Sequence, residues 1–262
     1  MGSASRTALR DGVAALAAAK GVTLATGEEL LAAARAIDGS AQLRALLSDP
    51  TLDAKDRLRL VEAAFGSLGA TSRELLGGLA ASRWSSPQQL VDGIEEIGIR
   101  AIAKAETKAD IVAELFALDR AVRSDAELEL ALGSKLASPA AKGEVVERLL
   151  ARRGSPATTA IVSHLVRSPR GRRIGTLIKR AADIVADAEG SVVATVTVAS
   201  PLSAAQQRSL AADLAARFGR EPRIQVVVDP AVIGGVRVRI GDTVIDGTIA
   251  SRLADLRLQL AG

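Results

Sequence analysis

The stretch that most restricts the fold of this chain is 229–247, reading Asp-Pro-Ala-Val-Ile-Gly-Gly-Val-Arg-Val-Arg-Ile-Gly-Asp-Thr-Val-Ile-Asp-Gly. Val236, Val238 and Ile240 alternate with Arg237 and Arg239, the period of a strand with one buried face. Gly241-Asp242 follows where a two-residue reversal is needed, and glycine supplies the positive φ that primed hairpin turns demand. Thr243-Val244-Ile245 returns as the second strand, which Asp246-Gly247 ends. The Gly234-Gly235 pair ahead of the hairpin asks for a sharp bend or a close approach of two backbone segments. Upstream, Val192–Val198 reads as a strand from its β-branched content, and 224–228 as another. Between them Ser203-Ala204-Ala205-Gln206 has the form of a capping box, opening a helix that buries Leu210, Leu214 and Phe218. Thr248 or Ser251 leads into a terminal helix with Ile249, Leu253, Leu256 and Leu260 in one apolar stripe. These elements make a small α/β domain over 191–262.

From residue 7 to about 186 the apolar residues fall instead at helical spacings, as in Leu9, Val13 and Leu16 or Leu30, Leu31, Ala34 and Ile37. Ser40, Asp53, Ser72, Ser86-Pro87, Ser138-Pro139 and Ser155-Pro156 read as helix starts, the last three with proline in the first turn, where its missing N–H costs nothing. Hydrophobic residues make up 48% of the chain and aromatics only 2%. Cores built of Ala, Leu and Val favour closely packed helices. An internal repeat recurs at an offset of about 85 residues. Glu29-Leu30 matches Glu114-Leu115, Ala41-Gln42-Leu43 matches Ala126-Glu127-Leu128, and Leu47 matches Leu132. Leu60-Val61-Glu62 matches Val145-Val146-Glu147, and after a one-residue slip Leu75-Leu76 and Leu79 match Ile161-Val162 and Leu165. The expected organisation is therefore mostly α: a helical bundle over 1–105, a second copy over 106–190 that shares the helix near 93–104, and the α/β domain over 191–262.

Catalytic constellations are missing. The chain has no Cys, no Tyr and a single histidine, His164, expected on a helix surface or half-buried. No P-loop pattern occurs, and the glycines of 233–241 open a hairpin, not a phosphate-binding helix. Asp242 and Asp246 read as turn residues that bond the local backbone. Glu95-Glu96 and Arg152-Arg153 read as solvated helix faces, and the basic stretch 167–173 as a solvated loop. No cofactor or metal is implied, and the chain reads as a soluble, cytoplasmic non-enzyme. The uncharged run 190–207 contains Pro201 and an alternating core, so it is a strand and turn and not a membrane span. A net charge of +4 supports, by itself, one competing reading, a basic helical nucleic-acid-associated adaptor.

The string Gly234, Gly235, Gly241, Asp242, Asp246 and Gly247, with its spacing and the Leu-spaced helix after it, resembles the C-terminal signature of the δ subunit of F-type ATP synthases, called OSCP in mitochondria. The doubled bundle is similar to the enlarged δ region of actinobacterial enzymes. The resemblance implies a non-catalytic stator subunit of the peripheral stalk, one copy per complex, on the cytoplasmic face of the cell membrane without insertion. It implies two partners, the N-terminal helix of an F1 α subunit and the C-terminal end of the b subunit. The family's first groove, between the first and fifth helices, falls on Leu9, Val13, Leu16, Leu75, Leu76 and Leu79, in the copy whose first helix is free at the chain end to splay. The b-subunit surface falls on Ile249, Leu253, Leu256 and Leu260. A nucleic-acid partner is not implied.

Overall fold

Serine, threonine and proline set about half of the helix starts of the first unit. The computed structural model describes residues 1–133, 137–251 and 253, and the chain divides into two units, Met1–Val185 and Ala186–Gly262. The helices are α1 Ser3–Ala18, α2 Leu24–Gly39, α3 Ala41–Ser48, α4 Ala54–Phe65, α5 Ala70–Ala81 and α6 Pro87–Ala105. They continue as α7 Ile111–Ser124, α8 Ala126–Gly133, α9 Pro139–Leu150, α10 Pro156–Arg167 and α11 Ile174–Ala188. Ser40, Ser86, Ser138 and Ser155 each accept a backbone N–H three residues on, and Pro87, Pro139 and Pro156 take the first helical turn. Ser72 departs from expectation: it lies inside α5, fully buried, and Gly69 precedes the helix instead. The turn between α6 and α7 contains neither Gly nor Pro. Glu106 makes it, its Oε1 accepting from the backbone N–H groups of Lys108 at 2.8 Å and Ala109 at 3.1 Å.

The elements recur in order. Helices α2 to α6 have 16, 8, 12, 12 and 19 residues, and α7 to α11 have 14, 8, 12, 12 and 15. Matching positions are buried in both series: Leu47 with Leu132, Val61 with Val146, Arg57 with Lys142, Leu76 with Val162 and Leu79 with Leu165. Leu30, Ile37, Leu47, Leu76, Leu79, Leu90, Ile94 and Ile97 form the core of the first series. Trp84, the single tryptophan, closes its end, donating its indole N–H to Leu79 O at 2.7 Å. Helix α6 is buried nearly all round, as a helix must be when both its faces meet other helices.

The second unit is a four-stranded sheet with one helix. Its elements are β1 Val192–Val198, α12 Ala204–Phe218, β2 Pro222–Val228, β3 Val236–Ile240 and β4 Thr243–Asp246, in sheet order β2-β1-β3-β4. β1 and β2 are parallel, joined through α12, while β3 is antiparallel to both β1 and β4. The capping box forms as the sequence indicates: Ser203 Oγ accepts from Gln206 N at 3.2 Å and Gln206 Oε1 from Ser203 N at 2.8 Å. Ala194, Val196, Val198, Val238 and Ile240 supply the buried face of the sheet, packed with Leu214 and the half-buried Leu210 and Phe218 of α12. Ile240 pairs directly with Thr243, so Gly241-Asp242 is a two-residue loop. Its φ of +55° at Gly241, without a positive φ at Asp242, is the II′ pattern that follows the twist of the strands.

Candidate functional site

The glycines of the C-terminal signature hold a backbone crossing. Gly235 has φ +81°, and a Cβ there would stand 2.4 Å from Gly247 O and 2.8 Å from Thr248 Cα. Gly247 N donates to Val236 O at 2.9 Å and Ile249 N to Gly234 O at 3.2 Å, which ties the segment after β4 to the segment before β3. Asp246 locks the same corner. Its Oδ1 accepts from Thr248 Oγ1 at 2.7 Å and from Thr248 N at 3.0 Å, and Oδ2 from Arg237 Nε at 2.8 Å. The Thr248 hydroxyl and N–H, then Arg237, hold this carboxyl below its usual range. Asp242 is exposed at the hairpin tip. Beside the crossing, Ile233, Val244, Ile249 and Leu253 are exposed apolar residues. Leu256 and Leu260 lie outside the described residues.

In the first unit α1 and α5 lie side by side, as the family resemblance implies. Leu9 and Val13 are half-buried, while Leu16, Leu75, Leu76 and Leu79 are buried in the core beneath them. Above that floor runs a groove of about 330 Å³ with Gly12, Ala15 and Ala18 along one wall and Leu75, Gly78 and Leu79 along the other. Asp11 and Glu74 stand at its edge. Small residues on both walls let a third helix approach closely. Helix α1 is not free to splay, because both its ends are fixed. Lys104 Nζ donates to the C-terminal carbonyls of Leu16, Ala17 and Ala19 at 2.7, 2.9 and 3.0 Å. At the other end Ser85 N donates to Ser5 Oγ at 2.9 Å and Gly2 N to Gln89 Oε1 at 3.2 Å. The groove is preformed.

A third feature corrects the sequence reading. His164 and Glu95 are each only 2% exposed, neither a surface residue nor half-buried. Arg35 Nη1 donates to His164 Nδ1 at 2.8 Å, so the ring carries its proton on Nε2 and gives it to Glu95 Oε2 at 3.1 Å. Arg170 Nη2 bonds the same carboxylate oxygen, and Arg172 Nη2 lies 3.4 Å from Oε1. Arg170 Nη1 also reaches Asp92 at 2.8 Å. Burial works to raise the Glu95 carboxyl, but the His164 hydrogen bond and the Arg170, His164 and Arg172 charges override it and bring it to about 2. Burial pushes the imidazole below its usual range against Glu95's pull, and Arg35 and Arg170 push it the same way. Arg170 and Arg172 are thus paired, not solvated. Arg170 adopts φ +49° and Gly171 φ +74°, a reversal that turns the loop after α10 back onto α6. Glu96 is also mostly buried, bridged to Arg100 at 2.9 Å; Arg152 and Arg153 are exposed as expected, but in the turn after α9 and not on a helix face.

Against known proteins, the family model described as ATP synthase delta (OSCP) subunit matches residues 99–260. ATP synthase subunit delta of Leifsonia xyli is 51% identical over the whole of both chains, and that of Streptomyces griseus 38% identical, also over the whole of both. The chain belongs to the ATP synthase delta (OSCP) subunit family. It is accordingly a non-catalytic component of the peripheral stalk. A chain of the Toxoplasma gondii mitochondrial ATP synthase hexamer aligns at 24% identity and TM-score 0.42, over 64% of this chain and 95% of that one.

The OSCP match falls on the second helical series and the α/β unit, leaving α1 to α5 outside it. Among the described residues no group of three or more His, Asp or Glu side chains could hold a metal ion, and no helix is long and apolar enough to cross a membrane. Of the residues singled out from the sequence, the structure brings together Gly234, Gly235, Asp246 and Gly247, and separately the α1 and α5 leucines. The Arg35–His164–Glu95 cluster was not legible. Its members are 129 and 69 residues apart, and a lone histidine inside an apolar helix carries no local signal of its partners.

Proposed function

We propose that this delta-family subunit grips the catalytic head through the α1/α5 groove and the b subunit through the exposed apolar edge of its C-terminal unit. The first partner is the amphipathic N-terminal helix of an F1 α subunit, and the second the C-terminal end of b. The subunit sits once per complex on the cytoplasmic face of the membrane and resists the torque of the turning rotor. The observation that carries the first grip is the groove itself, preformed, apolar and bare over Gly78, where a partner backbone would approach. It has the shape that helix-in-groove recognition uses. Exposed Ile233, Ile249 and Leu253 support the second grip.

Gly78 offers a test that leaves the core alone. It is exposed, and a Cβ there meets nothing within 4 Å, so Gly78→Leu fills the groove while improving helix propensity. Calorimetry with the α N-terminal peptide should show at least a tenfold loss of affinity, about 1.4 kcal/mol, with unchanged circular dichroism. Equal binding by the two proteins would place the grip elsewhere.

A further inference from the structure

The first helical series presents an open groove between α1 and α5. In the second series the helices in the same relation are α6 and α10. The repeat puts Ile161 where the groove has Leu75, His164 where it has Gly78, and Leu165 where it has Leu79. The two walls differ at one position. Leu75, Leu76, Leu79 and Ala80 are buried, as are Ile161, Val162, Leu165 and Val166, but Gly78 is exposed with open space over it whereas His164 is buried.

What covers the second wall at His164 is α2. Gly27, Leu31 and Arg35 follow one another at i, i+4 and i+8, the stripe of a helix laid into a groove. Gly27 and Gly98 bring the α2 and α6 backbones together. A Cβ on Gly27 would stand 2.8 Å from Gly98 O, and one on Gly98 would stand 2.9 Å from Leu31 Cδ2. One turn further on, Arg35 ends on His164 at 2.8 Å, over the position that is bare at Gly78. The adjoining stripe of α2, Leu30, Ala34 and Ile37, about a quarter-turn round the helix, belongs to the core of the first series. A cleft of about 800 Å³ remains beside α2, toward α9 and α10, but α2 forms one of its walls. An entering helix would meet α2 there and not a bare groove.

We propose that α2 is the resident occupant of the second groove, so that the duplicated chain offers a partner helix one groove and not two. The residues matched by the family model are those whose groove is filled in cis, and the outward grip passes to the added first series. The Glu95–His164–Arg35 chain fixes the occupant across α6, α10 and α2. The claim about the number of open sites rests on the helix-gripping reading above; the claim about occupancy does not.

Two measurements on the full chain separate these claims. The first is amide hydrogen exchange in Leu31→Ala and Leu30→Ala, neighbours on the two adjoining stripes of α2. Leu31→Ala should raise exchange in α10 at least tenfold and leave α5 protected, and Leu30→Ala should do the reverse. Unchanged α10 protection in Leu31→Ala overturns the occupancy. The second is calorimetric stoichiometry with the α N-terminal peptide. One peptide per chain, lost in Gly78→Leu, is expected. Two peptides, with one surviving Gly78→Leu, would show the second groove open and overturn the proposal. No binding at all would remove the gripping reading while exchange still decides the occupancy.

Discussion

Whether one neutral imidazole can join three helices depends on the protonation it holds. His164 accepts from a permanently charged Arg35 and donates to a carboxylate, a pattern only the neutral ring can make. Its folded value lies below the ordinary 6.5, so the unfolded chain binds the proton first as pH drops. The stability this group contributes is present above about 6.5 and falls as the solution is acidified below it. Glu95 acts in a lower window. With its carboxyl at about 2 against an ordinary 4.5, its contribution is present above 4.5 and is lost as pH falls toward 2. Denaturant unfolding across this range should show a decline beginning below about 6.5 and a steeper one below about 4.5. Glutamine can accept at one atom and donate from the other without titrating. His164→Gln should therefore flatten the upper decline and keep the lower one. A variant with the wild-type profile would mean that the upper decline arises from other groups.

At the scale of elements, most of the architecture was legible because the signals are local. Ser-Pro pairs announced α6, α9 and α10, the Ser203–Gln206 box announced α12, and alternation with Gly241-Asp242 gave the hairpin and its register. Misreadings came where tertiary contacts outweigh local preference. Ser72 has the residue type of a cap but is packed inside α5, and the α6–α7 turn is made by a Glu106 side chain that composition does not flag. Glu95 and Glu96 look like a solvated pair until the loop after α10 returns Arg170 and Arg172 to Glu95, and Arg100 of α6 and Arg180 of α11 reach Glu96. The glycine pair was legible as a bend, but which glycine is indispensable was not. Gly235 is the one facing backbone, 2.4 Å from Gly247 O, where no side-chain rotation can relieve a clash. At Gly234 the nearest atom is the flexible end of Ile249. Gly235→Val should destabilise the second unit by roughly 1–3 kcal/mol, read by thermal melting of the full chain with exchange in β3 and β4 locating the change. Gly234→Ala should cost less. Equal costs would mean that positive φ, not the crossing, sets the penalty.

For the whole molecule, duplication adds helices without adding chemistry, and the charge follows the same logic. The sequence carries 34 basic and 30 acidic residues, and a +4 excess could serve either nucleic-acid binding or internal cohesion. The structure places much of the arginine in ion pairs. In the densest basic stretch Arg167 meets Glu147, Arg170 meets Asp92 and Glu95, and Arg172 meets Glu95. In the second unit Arg220 meets Asp187, Arg223 meets Glu189 and Arg237 meets Asp246. A guanidinium already paired releases no counterions from a phosphate backbone, and counterion release is what drives non-specific binding. With aromatics at 2%, base stacking offers no substitute. Duplex DNA should therefore bind more weakly than about 10⁻⁴ M at physiological salt, below ordinary non-specific affinity. A mobility-shift series at about 50 and 150 mM salt checks this, because any weak shift at the lower salt should vanish at the higher. A shift persisting at micromolar protein and the higher salt would mean that unpaired basic surface binds nucleic acid, and the stalk role would not then account for the charge.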